Sequence, residues 1–311
     1  MSKVFIDGDV GTTGLQIRQR LEGRADIELV RLPDDKRKDV DARREALNSV
    51  DAVILCLPDD AAREAVALID NPDVRVIDAS TAHRTDEDWT YGFAEMAPGQ
   101  RDAIRASKRI TNPGCYATGF IALMRPLAEA GLIPPYWPTT CNAVSGYSGG
   151  GKSMIAEFES GATTDNYRLY RPNLNHKHLP EMTFYGGLES PPLFTPAVGR
   201  YAQGMIVELP LQLWALPEEP DLARVHEVLT AAYAGERFVT VASLEDSLAT
   251  TQVQPEMLNN TNQLLIRVFG DELGQQAHLV AILDNLGKGA SGAAVQNLNL
   301  VLGVDEALGL S

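Results

Sequence analysis

Four short runs of almost unbroken apolar residues, KVFID, IELVR, DAVILCLP and VRVIDAS, recur through the first 80 residues. Between them lie stretches with helical spacing around Leu15 to Leu21, near Asp41 to Asn48 and around Ala61 to Ile69. A strand apolar on both sides must be covered on both faces, and helices between successive strands supply that cover while making the strands run parallel. The pattern predicts an α/β fold that begins with a doubly wound, Rossmann-like parallel sheet. Ligands of such sheets bind beyond the carboxyl ends of the strands, so the segments after Ile6, Val30, Leu57 and Ile77 should face a site.

From Pro138 onward the runs lengthen and helices thin out: TTCNAVSG, GMIVELPLQLWAL, QLLIRVFG and AHLVAILDN, with one amphipathic helix near Leu222 to Ala234. Strand after strand with few crossovers predicts an α+β second domain on a mostly antiparallel sheet. The expected division is a dinucleotide-binding domain over 1–113, rejoined by a C-terminal helix over 286–311, and a catalytic, substrate-binding and oligomerisation domain over 114–285. Neither repeats nor low-complexity segments interrupt this plan.

Of 311 residues, 42 are Asp or Glu and 27 Lys or Arg, a formal charge of -15. That field opposes nucleic acid and anionic membranes, so an anionic substrate needs a local basic pocket. No apolar run reaches the roughly 18 residues of a membrane span, and the first residues lack the character of a signal peptide; a cytoplasmic protein is expected. Cys56, Cys115 and Cys141 form neither an even set nor a CxxC pair, so reduced thiols are expected, with no disulfide framework and no metal site.

The first strand runs into Gly8-Asp9-Val10-Gly11-Thr12-Thr13-Gly14 and then directly into the helical LQIRQRL. Glycines between a strand and a helix start let main-chain amides approach a pyrophosphate at the positive helix end, so Gly8, Gly11, Thr12, Thr13 and Gly14 are candidate cofactor contacts. NAD sites usually carry an acidic residue at the end of the second strand. Here Arg31 follows it, then Lys36, Arg37 and Lys38, and basic groups fit the 2'-phosphate of NADP. Ser80, at the end of the fourth strand, joins the candidate cofactor contacts.

In RITNPGCYATGFIALMRPLAEAGLI a strand end meets Asn112-Pro113-Gly114, and Cys115 then opens a helix whose apolar face holds Phe120, Ile121, Leu123, Met124 and Leu127. In a first helical turn the macrodipole favours a thiolate, and free amides can stabilise an oxyanion. Cys56 and Cys141 lie inside apolar strands, the usual place of an inert cysteine. A cysteine nucleophile wants a base. Among five histidines, His226 and His278 have surface or core contexts, and His83 ends a strand where it can meet a ligand. The dense segment is Asn175-His176-Lys177-His178-Leu179-Pro180-Glu181, where His176 and His178 would face the same way if extended. One of the two is the expected base, with Glu181 as an orienting partner.

NPGCYAT, the HxHxPE element of His176 to Glu181, the glycine-rich stretch before Lys152 and GASGAAVQNLNL from Gly289 together resemble the N-acetyl-gamma-glutamyl-phosphate reductases in their shorter subtype, within the semialdehyde dehydrogenase superfamily. The similarity runs from the first strand to the last helix. It implies the semialdehyde dehydrogenase fold, a homodimer or homotetramer, a role in arginine biosynthesis, and NADPH-dependent reduction of an acyl phosphate to an aldehyde through a thioester on Cys115, with His178 or His176 as base. Gly289 and Asn297, on the returning tail, are implied cofactor contacts. The implied small-molecule substrate carries a carboxylate and a phosphate, for which Asn112, Arg84, Lys152 and Arg200 are the candidate contacts, with Arg109 and Arg168 behind them.

Three other readings compete. Gly146 to Ser153 matches GxxxxGK[ST] between a strand and a helix, and LVAILD ends on Asp284, so a nucleotide triphosphatase or kinase is a different class of answer. It leaves the cysteine and histidine elements unexplained. A silent NADP-binding sensor would keep the glycine turn yet have no use for the thiol. An aspartate or amino-adipyl semialdehyde dehydrogenase would share the chemistry and differ in pocket shape.

Overall fold

A computed structural model describes residues 1–271 and 273–311. The chain divides into two units, one made of Met1–Ala94, Pro98–Gly114 and Ala290–Ser311, the other of Glu95–Ala97 and Cys115–Gly289.

In the first unit the order is β1 (Ser2–Asp7), α1 (Thr12–Leu21), β2 (Ile27–Val30), α2 (Val40–Asn48), β3 (Ala52–Leu55), α3 (Asp59–Ala67), β4 (Arg75–Asp78), β5 (Thr90–Tyr91), α4 (Gln100–Ala106) and β6 (Arg109–Thr111). The strands form one sheet in the order β2-β1-β3-β4-β6-β5, parallel at every pairing. Alternate side chains serve opposite faces. Val4, Ile6, Ala52, Ile54 and Ile77 pack in one cluster with Ile17 and Leu21 of α1 and Ile104 of α4. Phe5, Val53, Leu55 and Val76 pack in the other with Ala46 and Leu47 of α2 and Ala62 and Ala65 of α3. Both faces are therefore dry, which is why the strands read as unbroken apolar runs rather than alternating ones.

The second unit continues with α5 (Cys115–Glu129), β7 (Thr140–Gly146), α6 (Gly151–Glu159), β8 (Tyr167–Leu169), α7 (Leu179–Gly186), β9 (Leu193–Gly199), β10 (Met205–Gln212), α8 (Leu222–Ala232), β11 (Val239–Val241), α9 (Leu244–Ala249), β12 (Leu264–Gly270) and β13 (Gln276–Leu283). Its sheet has the order β11-β12-β13-β10-β7-β9-β8 and is antiparallel except at β11–β12 and β7–β9. The α+β expectation thus holds.

Helix α5 is buried almost all round, from Tyr116 to Met124 without a break. Gly119 lets it lie close on β10, since a Cβ there would fall 2.6 Å from Val207. Pro126, inside the helix, has no N–H for the carbonyl of Ala122; the hydroxyl of Tyr233 donates to that oxygen instead at 2.8 Å. Burial pushes the Tyr233 phenol far above its ordinary range, so it stays a donor.

The chain then returns to the first unit as α10 (Gly292–Leu302), whose Ala294, Val295, Leu298 and Val301 join the cluster around β1 and α1. The helix is shorter than the 286–311 span expected for it. A wider turn over Gly287–Ser291 precedes it, and Gly303, at φ 71°, ends it in the left-handed conformation that glycine adopts freely.

Candidate functional site

The glycine turn of the first unit owes its path to two residues. Gly8 has φ 92°, and a Cβ there would meet the carbonyl of Cys56 at 2.4 Å; at Gly14 it would meet the carbonyl of Gly8 at 2.3 Å. Gly11 precedes α1 with no side-chain cap, so the first amides of Thr12, Thr13 and Gly14 are left to a ligand. Beside the turn lies a cavity of about 440 Å³ lined by Gly8, Asp9, Val10 and Arg18, by Val30 and Arg31 at the end of β2, and by Arg37 and Lys38.

Asp9 gathers three guanidinium groups there, with Arg18 at 3.4 Å, Arg31 at 3.7 Å and Arg37 at 3.9 Å. Arg37 also pairs with Asp34 at 2.9 Å. Lys36 is exposed and outside the lining, where Lys38 stands instead. Arg18 was missed because it reads as the polar face of an amphipathic helix. Asp7, at the end of β1, accepts from Arg43 at 2.8 Å, yet burial outweighs that partner and holds its carboxyl above the usual range.

Several other first-unit candidates are built into the structure's own bonding. Ser80 gives its hydroxyl to Asp78 at 2.8 Å, and His83 meets the same carboxylate at 2.7 Å while stacking on Trp89 at 4.2 Å. Arg84 is buried and donates to the carbonyls of Asn112 at 3.0 Å and Ala79 at 3.4 Å. Asn112 donates to the Ala290 carbonyl and accepts from Asn297, which also donates to the Gly92 carbonyl. Asn297, implied above as a cofactor contact, is wholly enclosed and ties strand ends together inside this unit.

In the second unit Cys115, half-buried, is the first residue of α5. The next residue, Tyr116, carries the histidine pair: its ring stands 5.6 Å from that of His176 and 6.0 Å from that of His178. Its hydroxyl donates to the Ala197 carbonyl at 3.2 Å, and burial raises its pKa strongly, so it remains a phenol. Tyr170 and Phe194 stand edge-on to His176 at 5.7 and 5.2 Å, completing an aromatic box. Sequence reading missed Tyr116 and Phe194 because aromatic residues beside apolar ones pass for core, and Tyr170 because in the polar stretch YRLYRPN it reads as surface.

The condition under which the two histidines would face the same way, an extended segment, is not met. His178 caps α7, Pro180 sits in its first turn, and the rings meet perpendicularly at 4.6 Å. The backbone N–H of His178 donates to Nδ1 of His176 at 3.1 Å. A neutral His176 must therefore carry its proton on Nε2. Glu181, two residues beyond Leu179 in the first turn of α7, is buried.

Gly289 proves to be a neighbour of the nucleophile candidate itself, since a Cβ on it would fall 2.7 Å from the Cβ of Cys115. Arg200, just past β9, donates to the carbonyls of Asp165 at 2.8 Å and Thr163 at 2.6 Å in the segment before β8, and Arg168 pairs with Glu157 at 2.7 Å. Lys152 is exposed at the start of α6. Arg109, on β6, gives its guanidinium to the carbonyls of Val74 and Lys108.

The phosphate-loop reading fails on geometry. The amides of Gly146, Tyr147 and Ser148 donate to the carbonyls of Gly204, Tyr201 and Ala202, so they cannot cradle a phosphate. Asp284 accepts from the amides of Asn260 and Leu286 and from Gln203. Among the described residues no group of His, Cys, Asp and Glu is arranged to hold a metal ion, and no helix is long and apolar enough to cross a membrane.

Comparison with known proteins gives one answer. Residues 3–105 match the family model described as "Semialdehyde dehydrogenase, NAD binding domain", and residues 115–285 match "Semialdehyde dehydrogenase, dimerisation domain". N-acetyl-gamma-glutamyl-phosphate reductase 2 of Nostoc sp. is 54% identical over 99% of both chains. The N-acetyl-gamma-glutamyl-phosphate reductase of Brucella anthropi is 52% identical over 97% of this chain and 98% of its own. A probable aspartate-semialdehyde dehydrogenase from Pseudomonas aeruginosa superposes with a TM-score of 0.71 over 97% of this chain and 98% of its own at 16% identity, a likeness of fold alone. The chain belongs to the semialdehyde dehydrogenase family, among its N-acetyl-gamma-glutamyl-phosphate reductases.

Proposed function

We propose that this chain is a cytoplasmic, NADPH-dependent reductase that converts N-acetyl-L-glutamyl 5-phosphate to N-acetyl-L-glutamate 5-semialdehyde and phosphate, a step of arginine biosynthesis. The names of relatives 52 to 54% identical along the whole chain support the substrate. One observation carries the mechanism: Cys115 opens a long buried helix, and the ring of its neighbour Tyr116 holds a histidine pair.

Cys115 Sγ attacks the acyl carbon; a C–S bond forms, the C–O bond to phosphate breaks, and phosphate leaves with that electron pair. The amides at the start of α5 stabilise the oxyanion of this step. His178 takes the thiol proton, because Nδ1 of His176 is already engaged by a main-chain N–H. His176, donating through Nε2, steadies the negative charge. When the tetrahedral adduct at the aldehyde level collapses, the C–S bond breaks and His178 returns the proton to sulfur. Glu181, buried in the first turn of α7, fixes the orientation of the pair.

The first unit fits a nicotinamide nucleotide: uncapped amides at Thr12, Thr13 and Gly14 suit a pyrophosphate, and the adjoining cavity of about 440 Å³ suits one nucleoside half. Bound there, the reduced cofactor supplies the hydride for the thioester. Arg18, Arg31, Arg37 and Lys38 favour NADP, as groups able to take a 2'-phosphate in place of Asp9. For an anionic end of the substrate we assign Lys152, which is exposed at the start of α6 in the same unit as Cys115. The second unit is the proposed surface of a homodimer or homotetramer, supported by its match to a domain described as dimerising.

The test is reduction of NADP by N-acetylglutamate 5-semialdehyde, run with and without phosphate, on the wild-type protein and Cys115→Ser, and repeated with aspartate semialdehyde. Phosphate-dependent turnover that the variant lacks and that prefers the acetylated substrate supports the reading. Equal or faster turnover of aspartate semialdehyde would reassign the substrate, and turnover that survives in the variant would remove the thioester.

A further inference from the structure

The steps above make no use of Lys288 and Glu95. Lys288 is 1% exposed and Glu95 3%, and their charged ends meet at 2.7 Å. The ammonium also lies 5.5 Å from the ring centre of Phe238. Burying two charges is costly, and apolar residues of similar volume often hold a core as well or better. Core stability alone is therefore a weak account of this pair.

Its location supplies a better one. Lys288 is the middle residue of Gly287-Lys288-Gly289, in the wide turn that precedes α10; such turns are frequent at functional sites. A Cβ on Gly287 would fall 2.1 Å from the carbonyl of Thr261. A Cβ on Gly289 would fall 2.7 Å from Cβ and 3.2 Å from Cα of Cys115, and the Gly289 amide donates to the Asp284 carbonyl at 2.9 Å. The turn thus presses bare main chain against the nucleophile, and neither glycine has a side chain to anchor it. Only the residue between them does.

We propose that Lys288 and Glu95 form a positioning pair for the reaction: their contact pins the Gly287–Gly289 turn, the Gly289 main chain fixes the Cβ of Cys115, and the direction of Sγ follows. The inference rests on Cys115 being the nucleophile. The two charges balance, so the pair acts through geometry rather than through its net field.

Two variants test it. Glu95→Asp keeps both charges but draws the carboxylate back by one methylene. The double variant Lys288→Met with Glu95→Leu removes both charges at similar volume. The readouts are kcat, KM for NADPH, melting temperature and the rate at which iodoacetamide alkylates Cys115. Misplacing a reacting group by about 1 Å costs up to roughly 100-fold, so kcat should fall about tenfold in Glu95→Asp and about 100-fold in the double variant, with KM for NADPH within about twofold. The alkylation rate should change in both while the melting temperature of Glu95→Asp stays near wild type.

Wild-type kcat and alkylation in the double variant would overturn the proposal. So would activity lost only in proportion to folded protein, or an unfolded double variant beside a fully active Glu95→Asp. Cys115→Ser separates the two ideas: if it still turns over, the thioester reading fails, whereas alkylation of the pair variants still reports whether Lys288 and Glu95 orient the thiol.

Discussion

The two binding regions are built from opposite materials. The nucleotide cavity of the first unit is main chain on one side and half-exposed side chains on the other, with Arg31 about half exposed and Arg37 beside it in a short surface turn. The thiol region of the second unit is enclosed: His176, His178 and Glu181 are all buried, both histidines lie against Tyr116, and His176 also lies against Phe194. A water-facing arginine gains little from any one partner and is screened by salt, while a packed imidazole or a glycine with no room for a methyl has no alternative arrangement. Changes among the arginines of the first region should therefore tune the enzyme, and changes around the thiol of the second should switch it off.

Gly289→Ala should break that contrast most sharply if the contrast is wrong. The added methyl has to displace Cys115, so kcat should fall by about 100-fold or more. A variant with near wild-type kcat would show that the Cys115 environment is as forgiving as the arginine cluster. Next come the histidines. His178→Gln should cost on the order of 100- to 10,000-fold in kcat. His176→Gln should lower kcat by less, and the reverse order would exchange their roles.

On the open side, Arg31→Ala and Arg37→Ala should each raise KM for NADPH about tenfold, leave NADH kinetics alone, and lose most of their effect in high salt. Equal losses for both cofactors would sink the assignment of these residues to the 2'-phosphate. Tyr233→Phe sharpens the contrast from the stability side. It strands the Ala122 carbonyl beside Pro126, so it should cost about 1–3 kcal/mol of stability with little change in kcat.

The smallest effect belongs to Asp7. Its pKa is raised by burial, so the folded chain holds that proton more tightly than the unfolded one. The stability this gives is fully present below the ordinary carboxylate range and is lost as pH rises through the raised value. Asp7→Asn is uncharged throughout, so its stability relative to wild type should grow between about pH 4 and pH 7. A difference that stays flat would contradict the assignment.

The same contrast decided what could be read from the sequence. The parallel sheet was legible because its strands are dry on both faces, and the glycine turn because Gly8 and Gly14 have no substitute where they sit. Cys115 was legible because Asn-Pro-Gly before a helical apolar face marks the helix start. The histidine pair was found, but its geometry was not: Leu179 and Pro180 start a helix, so His178 becomes a cap and its amide turns onto His176. Lys288, between two glycines, reads as a surface charge, and only folding brings Glu95 to it across nearly two hundred positions. Asn297 looked like a polar residue on the returning tail available to a ligand, whereas helix packing encloses it completely.

The central claim is a covalent bond to Cys115. It is tested most directly by mixing the enzyme with N-acetyl-L-glutamyl 5-phosphate in the absence of NADPH, quenching in acid, and locating the acyl group by peptide mass spectrometry. The account predicts one N-acetylglutamyl group on the peptide that carries Cys115, with phosphate released in equal amount and no label in Cys115→Ser. Phosphate release without acylation of that peptide, or acylation that persists in the variant, would contradict it.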